Sequence, residues 1–329
     1  MALTLPSDMK LVNELIETGY SEEVTQSVET FYNGSNGAVV VENAAFQGDF
    51  VQRNFIKEVG DLVTRRINQG TGADGAATSL KATEGDQLAA RLARKIGPVD
   101  IALGALRSRN FSMDDMSLQI GKQIAKAELA NLLNSATASL VGALSGTTGA
   151  FVDLTGTGLS GVDGLTYNAL IDIMALGGDT SNEIVAWIMP SAAHFQLMKE
   201  SKDSAKISDI VGAGTLYEGT VASFGRPVIV TDSPSLSPSG DSWVGALKAG
   251  ALTLRNDAMP IVYNEIVTGK ENMIMRIQGE FEAAITVGGY RYGGSAKNPD
   301  DAGLAGTANW DLDATSVKHA AAGFLGKVD

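Results

Sequence analysis

Between Ser112 and Leu140 the chain presents a run that no proline interrupts. Met116, Ile120, Ile124 and Ala127 recur there at helical spacing. Ser112 stands where an N-cap is expected, and Asp114 and Asp115 suit the positive end of a helix. Gly142 and Gly146 mark its expected end. About 25 residues at roughly 1.5 Å each make a rod of roughly 40 Å. A rod of that length acts as a support for what surrounds it. The surroundings are turn-rich: 38 glycines are scattered through 329 residues, which favours a mixed α/β chain with long loops over a helix bundle.

Downstream of the rod, Gly146 to Gly164 is a Gly/Thr-rich connection. Thr166 to Leu176 reads as a helix stopped by Gly177-Gly178. Ile184 to Met189 is an apolar, β-branched run that reads as a strand. Pro190 ends it, Ser191 is placed as an N-cap, and Ala192 to Lys202 forms a short amphipathic helix. Ser208 to Gly219 is loop-like. Thr220–Phe224 and Pro227–Thr231 read as two strands around a Gly225-Arg226 turn. Trp243–Leu247 and Ala251–Leu254 are further short strands. Ile261–Glu265 and Met273–Val287 alternate and form a long antiparallel pair around Gly269–Asn272. The tail from Gly293 is polar and turn-rich until Val317 to Val328.

Upstream, residues 7 to 32 hold one or two helical segments, with Leu11, Leu15 and Ile16 on one face and Val24, Val28 and Phe31 on another. Two readings stand: an arm that packs on another part of the chain or on a neighbouring subunit, or an ordinary first helix. Residues 55 to 110 are more unusual. Ile56 to Ile67 is expected to pair with Val99–Leu103, and a long insertion lies between them. Loops of that length are functional or disordered. Extended as a hairpin, this one would reach far from a domain at about 3.3 Å per residue.

The formal net charge of −13 argues against a protein that grips nucleic acid with basic surface. With 44% hydrophobic and 19% charged residues the chain is expected to fold. There are no cysteines, which removes disulfides, thiolate catalysis and cysteine-ligated zinc. Met1 to Met9 lacks the basic and apolar regions of a signal peptide, and no apolar stretch has membrane-spanning length.

Few residues invite chemistry. Gly70-Thr71-Gly72-Ala73-Asp74-Gly75 has Gly-x-Gly-x-x-Gly spacing, but no βαβ unit surrounds it, so a loop is the better reading than a dinucleotide site. Ser191 and His194, three apart, share a helical face and are the one conceivable nucleophile–base pair. No orienting acid or nucleophile elbow accompanies them. Asp114-Asp115 and Asp300-Asp301 lack calcium-loop spacing. Arg65-Arg66 and Arg91 to Lys95 are small basic clusters that either meet acidic surface across a subunit contact or are solvated. No catalytic, cofactor-binding or metal-binding residue is assigned.

Taken in order, these segments resemble the major capsid proteins of tailed bacteriophages, with the Hong Kong 97-type fold. The local likeness rests on Arg94-Lys95-Ile96-Gly97-Pro98-Val99-Asp100, the Trp187 to Asp232 block, and Asn309-Trp310-Asp311. The resemblance implies an α+β subunit: an N-terminal arm over 1–54, an E-loop hairpin over 55–110, and a P-domain with a spine helix over 111–145. An A-domain follows over 146–258, then P-domain return strands over 259–293 and a C-terminal tail over 294–329.

The same resemblance implies function by assembly rather than catalysis. Copies would form pentamers and hexamers of an icosahedral virion shell, built in the host bacterial cytoplasm. That shell would enclose packaged double-stranded DNA without reading its sequence. Portal and scaffolding proteins, and a decoration protein, are implied partners, and no membrane or cofactor is. An encapsulin-type nanocompartment shell is the alternative within the fold, and an enzyme using Ser191 and His194 the alternative outside it.

Overall fold

The computed structural model describes residues 14–24, 34–43, 52–57, 59–60, 62–63, 79–102, 113–155, 164–203, 224–238, 240–256, 260–268, 271 and 273–329. A first helix over 14–24 (α1) is followed by β1 (Val39–Asn43), β2 (Gln52–Ile56), β3 (Glu84–Leu88) and β4 (Ala90–Ala102). The long helix α2 then covers Met113–Ser145. Its 33 residues span about 50 Å at 1.5 Å per residue. It runs through Gly142, which does not end it. The missing side chain instead admits other backbone: a Cβ at Gly142 would collide with the carbonyl oxygen of Leu304.

The first part of α2 buries a line through Ser117, Gly121, Ile124, Ala125, Glu128 and Leu132. Ala127, expected on that line, is exposed. Helix α1 covers this line. Ile16 and Tyr20 pack with Ile124, Ala125, Met275 and Ile277. Gly121 lies against the Ile16 carbonyl, and a Cβ at Gly19 would stand 2.6 Å from the Leu118 carbonyl oxygen. Two glycines therefore let the helices touch backbone to backbone. Of the readings of the arm, packing on the chain's own long helix holds for these residues. From Ser135 to Leu144 every residue of α2 is buried.

The largest sheet is organised on β11 (Ile274–Val287). One edge of β11 pairs antiparallel with β4, from Ile274↔Ala102 to Ile285↔Ala90. Its other edge pairs first with β10 (Ile261–Val267) and then with β9 (Leu252–Asn256). β9 in turn pairs parallel with β1. Met275, Ile277, Phe281, Ala283 and Ile285 alternate inward. The expected antiparallel pair of 261–265 with 273–287 is present.

The expected pairing of Ile56–Ile67 with Val99–Leu103 is absent among the described residues, which leave out 58, 61, 64–67 and 103. Val99 and Ile101 lie opposite Ile277 and Met275, where the alternation of β4 meets a buried strand. The hairpin partner of β2 is β3, in the register Gln52↔Leu88 to Ile56↔Glu84.

The second sheet has the order β5 (Phe151–Asp153), β14 (Phe324–Val328), β8 (Ser242–Lys248), β6 (Ile184–Met189), β7 (Val228–Val230). Helices α3 (Tyr167–Gly177) and α4 (Ser191–Asp203) cover one face, where Leu170, Ile173 and Leu197 meet Trp187, Val244 and Phe324. The buried end of α2 covers the other, with Leu140 in a cluster containing Ile188, Leu247 and Leu325. A Cβ at Gly245 would stand 2.7 Å from Ile188 and 3.5 Å from Leu140, so strand and helix close up there.

The structure gives partners to three of the expected segments. β7 pairs parallel with β6, and the partner expected for it in a hairpin, 220–224, lies outside the described residues except for Phe224. The short strands after Trp243 and Ala251 belong to different sheets, β8 and β9, divided at Gly250 with φ 70°. The tail supplies β14, inserted between β5 and β8. It also supplies α5 (Asp301–Ala305) against α2, and β13 (Trp310–Leu312) paired with β12 (Tyr290–Tyr292).

Candidate assembly surfaces

The β2–β3 hairpin leaves the body at a fastened base. Lys57 Nζ donates to Asp313 Oδ1 at 2.6 Å, and Gln87 Nε2 donates to the Val287 carbonyl at 2.9 Å. A Cβ at Gly85 would stand 2.6 Å from the Phe55 ring and 2.7 Å from Asp313, so glycine lets the strand lie under this ion pair. Beyond the base the side chains change character. Ile56 is 75% exposed and Val63 is 95% exposed, with Leu62 and Leu80 exposed beside them in sequence. These are large apolar groups that the described chain does not bury. An exposed apolar set of this kind marks an interaction surface more often than a solvated one. Residues 64–78, which contain the Gly70–Gly75 spacing and Arg65-Arg66, lie outside the described residues.

A second exposed set lies on β10. This strand pairs with β11 on one side only, and its pattern contains no fully buried residue. Ile261, and Tyr263 at 73% exposure, stand on the sheet face away from α2, opposite Glu280 and Gln278. The same face carries a bidentate ion pair, Arg276 to Asp100 at 2.7 and 2.8 Å, with Arg91 to Glu282 at 2.6 Å. A third set comprises Ile171 of α3, Phe195 of α4, Phe224 and Val230 of the edge strand β7.

The residues singled out for chemistry have structural partners instead. Ser191 is the first residue of α4 rather than its cap. Its backbone N–H donates to Asp232 Oδ1 at 2.8 Å, and hydrogen bonds from the Ser191 side chain and then its backbone hold the Asp232 carboxyl below the usual range. No hydrogen bond joins Ser191 to His194 among the described residues. His194 Nδ1 is buried without a hydrogen-bond partner, and burial lowers the tendency of its ring to take a proton. A general base is oriented through one ring nitrogen, and Nδ1 finds no such partner among the described residues.

Asp300 caps α5, accepting from Gly303 N at 2.7 Å, and Asp301 accepts from Ser135 Oγ at 2.6 Å. Within the basic cluster, Arg94 donates to Asn298 Oδ1 at 2.9 Å and to the Pro299 carbonyl at 3.1 Å. Asn298 also bonds both backbone groups of Ala93, which closes the outer edge of β4 at that point. Trp310 Nε1 donates to the Leu304 carbonyl at 2.8 Å, and its ring meets Tyr292 edge-on. The side chains of Asp114 and Asp115 lie outside the described set.

Sequence reasoning passed over Lys57, Asp313, Asn298 and the buried Glu128. Each acts through a partner 100 or more residues away along the chain, at separations of 256, 205 and 108 residues, and no local spacing announces such a pair. No group of three or more metal-ligating residues occurs among the described residues, and no helix there is long and apolar enough to cross a membrane.

These surfaces can be compared with known proteins. No curated protein matches the chain. Among solved structures, the capsid of Myoviridae phage XM1 is similar at 15% identity, covering 89% of this chain and 90% of that one with a TM-score of 0.47. A structure from Microbacterium phage Oxtober96 is similar at 13% identity over 77% and 84%, with a TM-score of 0.49. A virus-like particle from Pyrococcus furiosus is similar at 12% identity over 96% and 98%, with a TM-score of 0.42. The family model described as Gp13-like, major capsid protein 13-like, matches residues 8–325, nearly the whole length. The chain belongs to the major capsid protein 13-like family, and its work is that of a major capsid protein.

Proposed function

We propose that copies of this chain assemble through pentamers and hexamers into the icosahedral shell of a tailed phage, with the Hong Kong 97-type arrangement. In this reading 1–54 is the arm, 55–110 the E-loop, 111–145 the spine-bearing part of the P-domain and 146–258 the A-domain. The return strands of the P-domain are 259–293, and 294–329 is a tail that folds back into both lobes. The β2–β3 hairpin reaches a neighbouring copy, whose surface buries Ile56, Leu62 and Val63. The chain performs no catalysis. It encloses DNA without gripping it, in keeping with a net charge of −13. Portal and scaffolding proteins, and a decoration protein, are its partners, and the shell is assembled in the host cytoplasm.

The observation that carries this reading is the hairpin with its exposed apolar groups, in a chain whose family works by contact between copies. Electron microscopy of the purified protein, alone and with its scaffold, tests it. Capsomers or closed shells are expected for the native chain. The double change Leu62→Asp, Val63→Asp should abolish shells while leaving the far-UV circular dichroism of the subunit unchanged. Shells of normal yield from that variant would remove the hairpin from the interface. A compact monomer under every condition would overturn the reading as a whole.

A further inference from the structure

Glu128 is charged in water but only 3% exposed here, on the line of α2 that α1 covers. Two neighbours converge on one of its oxygens. Tyr20, from α1, donates its hydroxyl to Oε1 at 2.9 Å, and Asn256, from β9, donates Nδ2 to the same atom in a short contact. The other carboxyl oxygen, Oε2, is buried with no partner, and so is the carbonyl oxygen of the Asn256 side chain. Two buried acceptors thus remain unpaired on two residues already joined through their other atoms.

A carboxylate and an amide oxygen cannot bond to each other, since neither brings a hydrogen. One added proton resolves both. A protonated Glu128 has a carbonyl oxygen that accepts twice and a hydroxyl that donates once. That is the pattern the two donors to Oε1 and the two unpaired oxygens call for. Leaving either acceptor bare in the interior costs about 1–3 kcal/mol, so the arrangement favours the neutral acid.

We propose that Glu128 carries a proton in the folded chain and forms a reciprocal acid–amide pair with Asn256, which together with Tyr20 docks α1 on α2 and β9, and that ionisation of this carboxyl releases α1. The proton transfer balances simply: Oε2–H loses its proton to solvent base, and the donation to Asn256 Oδ1 is lost with it.

Burial pushes the Glu128 carboxyl above the ordinary glutamate range, against the opposing effect of its Tyr20 and Asn256 hydrogen bonds. Burial, the largest effect on the Tyr20 hydroxyl, pushes it up, so it remains a donor whether Glu128 is neutral or ionised. Several charged groups on the packed elements form ion pairs with one another, and Glu14 and Glu17 of α1 are exposed carboxyls. Lys122 meets Glu22 at 3.1 Å and Lys126 meets Glu23 at 3.6 Å across α1 and α2, and Arg255 of β9 meets Glu42 of β1 at 2.9 Å. Among the described residues no cation is paired with Glu128 to hold it ionised. The sign follows: the folded value lies above the unfolded one, so docking is complete below the ordinary glutamate value and is lost as pH rises through the folded value.

Amide hydrogen exchange over 14–24 in the full-length chain, corrected for intrinsic rates from about pH 5 to about pH 9, reads this directly. Protection in the native chain should fall by up to about tenfold per pH unit across the titration. Glu128→Gln, whose amide can donate where the acid did, should keep α1 protected and make its protection independent of pH. Infrared difference spectra of the native chain at low pH should show a protonated-carboxyl band that Glu128→Gln lacks. A native chain whose α1 protection is flat with pH overturns the proposal. So does a Glu128→Gln chain that is unprotected at every pH, or one that keeps the native pH dependence or the carboxyl band.

Discussion

The two halves of α2 solve different problems with one helix. In the first half, 113 to about 134, one stripe is buried under α1 while Lys122 and Lys126 stand outside and pair with Glu22 and Glu23. In the second half, Ser135 to Leu144, no side faces water. The second half is built from small residues, Ser135, Ala136, Thr137, Ala138, Ser139, Gly142 and Ala143, with Leu140, Val141 and Leu144 among them. Small side chains leave room for neighbours all round. The α5 backbone sits on Gly142, the 3₁₀ turn Pro234–Leu236 and Ser233 lie near Thr137, and β8 closes on Leu140. Hydroxyls embedded there are satisfied locally or by these neighbours. Ser139 donates to the Ser135 carbonyl at 2.8 Å, and Thr137 and Ser233 share a 2.5 Å hydrogen bond. The lesson is that a helix buried on one side is held by its stripe, whereas one buried on all sides is held by the smallness of its residues.

The sharpest way to break this contrast is to add bulk. Gly142→Val should cost about 3 kcal/mol or more, because the atoms it meets are backbone and cannot yield as a flexible side chain would. Urea unfolding of Gly142→Val beside the exposed Ala127→Val measures it, and equal losses would erase the distinction between the halves. Next comes the stripe itself. Ile16 is buried against the first half, and Ile16→Ala should loosen α1 by about 2 kcal/mol, seen as faster amide exchange over 14–24 with little change in the rest of the chain. Loss spread evenly over both halves would show that α1 and the buried end unfold together.

Thr137→Val keeps shape but leaves the Ser233 hydroxyl without its partner in the interior. A loss of about 1.5 kcal/mol is expected in the same unfolding measurement. A neutral result would mean that packing alone, without its hydroxyl pairs, holds the second half. The smallest effect belongs to the surface. Lys126 is 67% exposed and 3.6 Å from Glu23, so Lys126→Ala should change stability by no more than about 0.5 kcal/mol. A larger loss would mean that the seam between α1 and α2 depends on charge as well as on its stripe.

Much of this molecule was legible in residue order. The long helix followed from an apolar period without proline, and α3, α4, β6, β8, β9, β10 and β11 from periodicity with glycine and proline at their ends. The resemblance to capsid proteins rested on the order of these elements, and the family match agrees with it.

What only the tertiary structure decided was who pairs with whom. Val99–Leu103 read as the hairpin partner of Ile56–Ile67, whereas its described residues pair with the buried strand β11. Nothing local in Phe324–Val328 says that it lies between β5 and β8, or in Gly142 that its role is contact rather than termination. Nor could spacing reveal that Lys57 finds Asp313, or that Glu128 is enclosed by Tyr20 and Asn256. The physical reason is common to all of these. Periodicity records which side of an element is apolar, but the partner that covers that side is fixed by shape and burial across the whole chain.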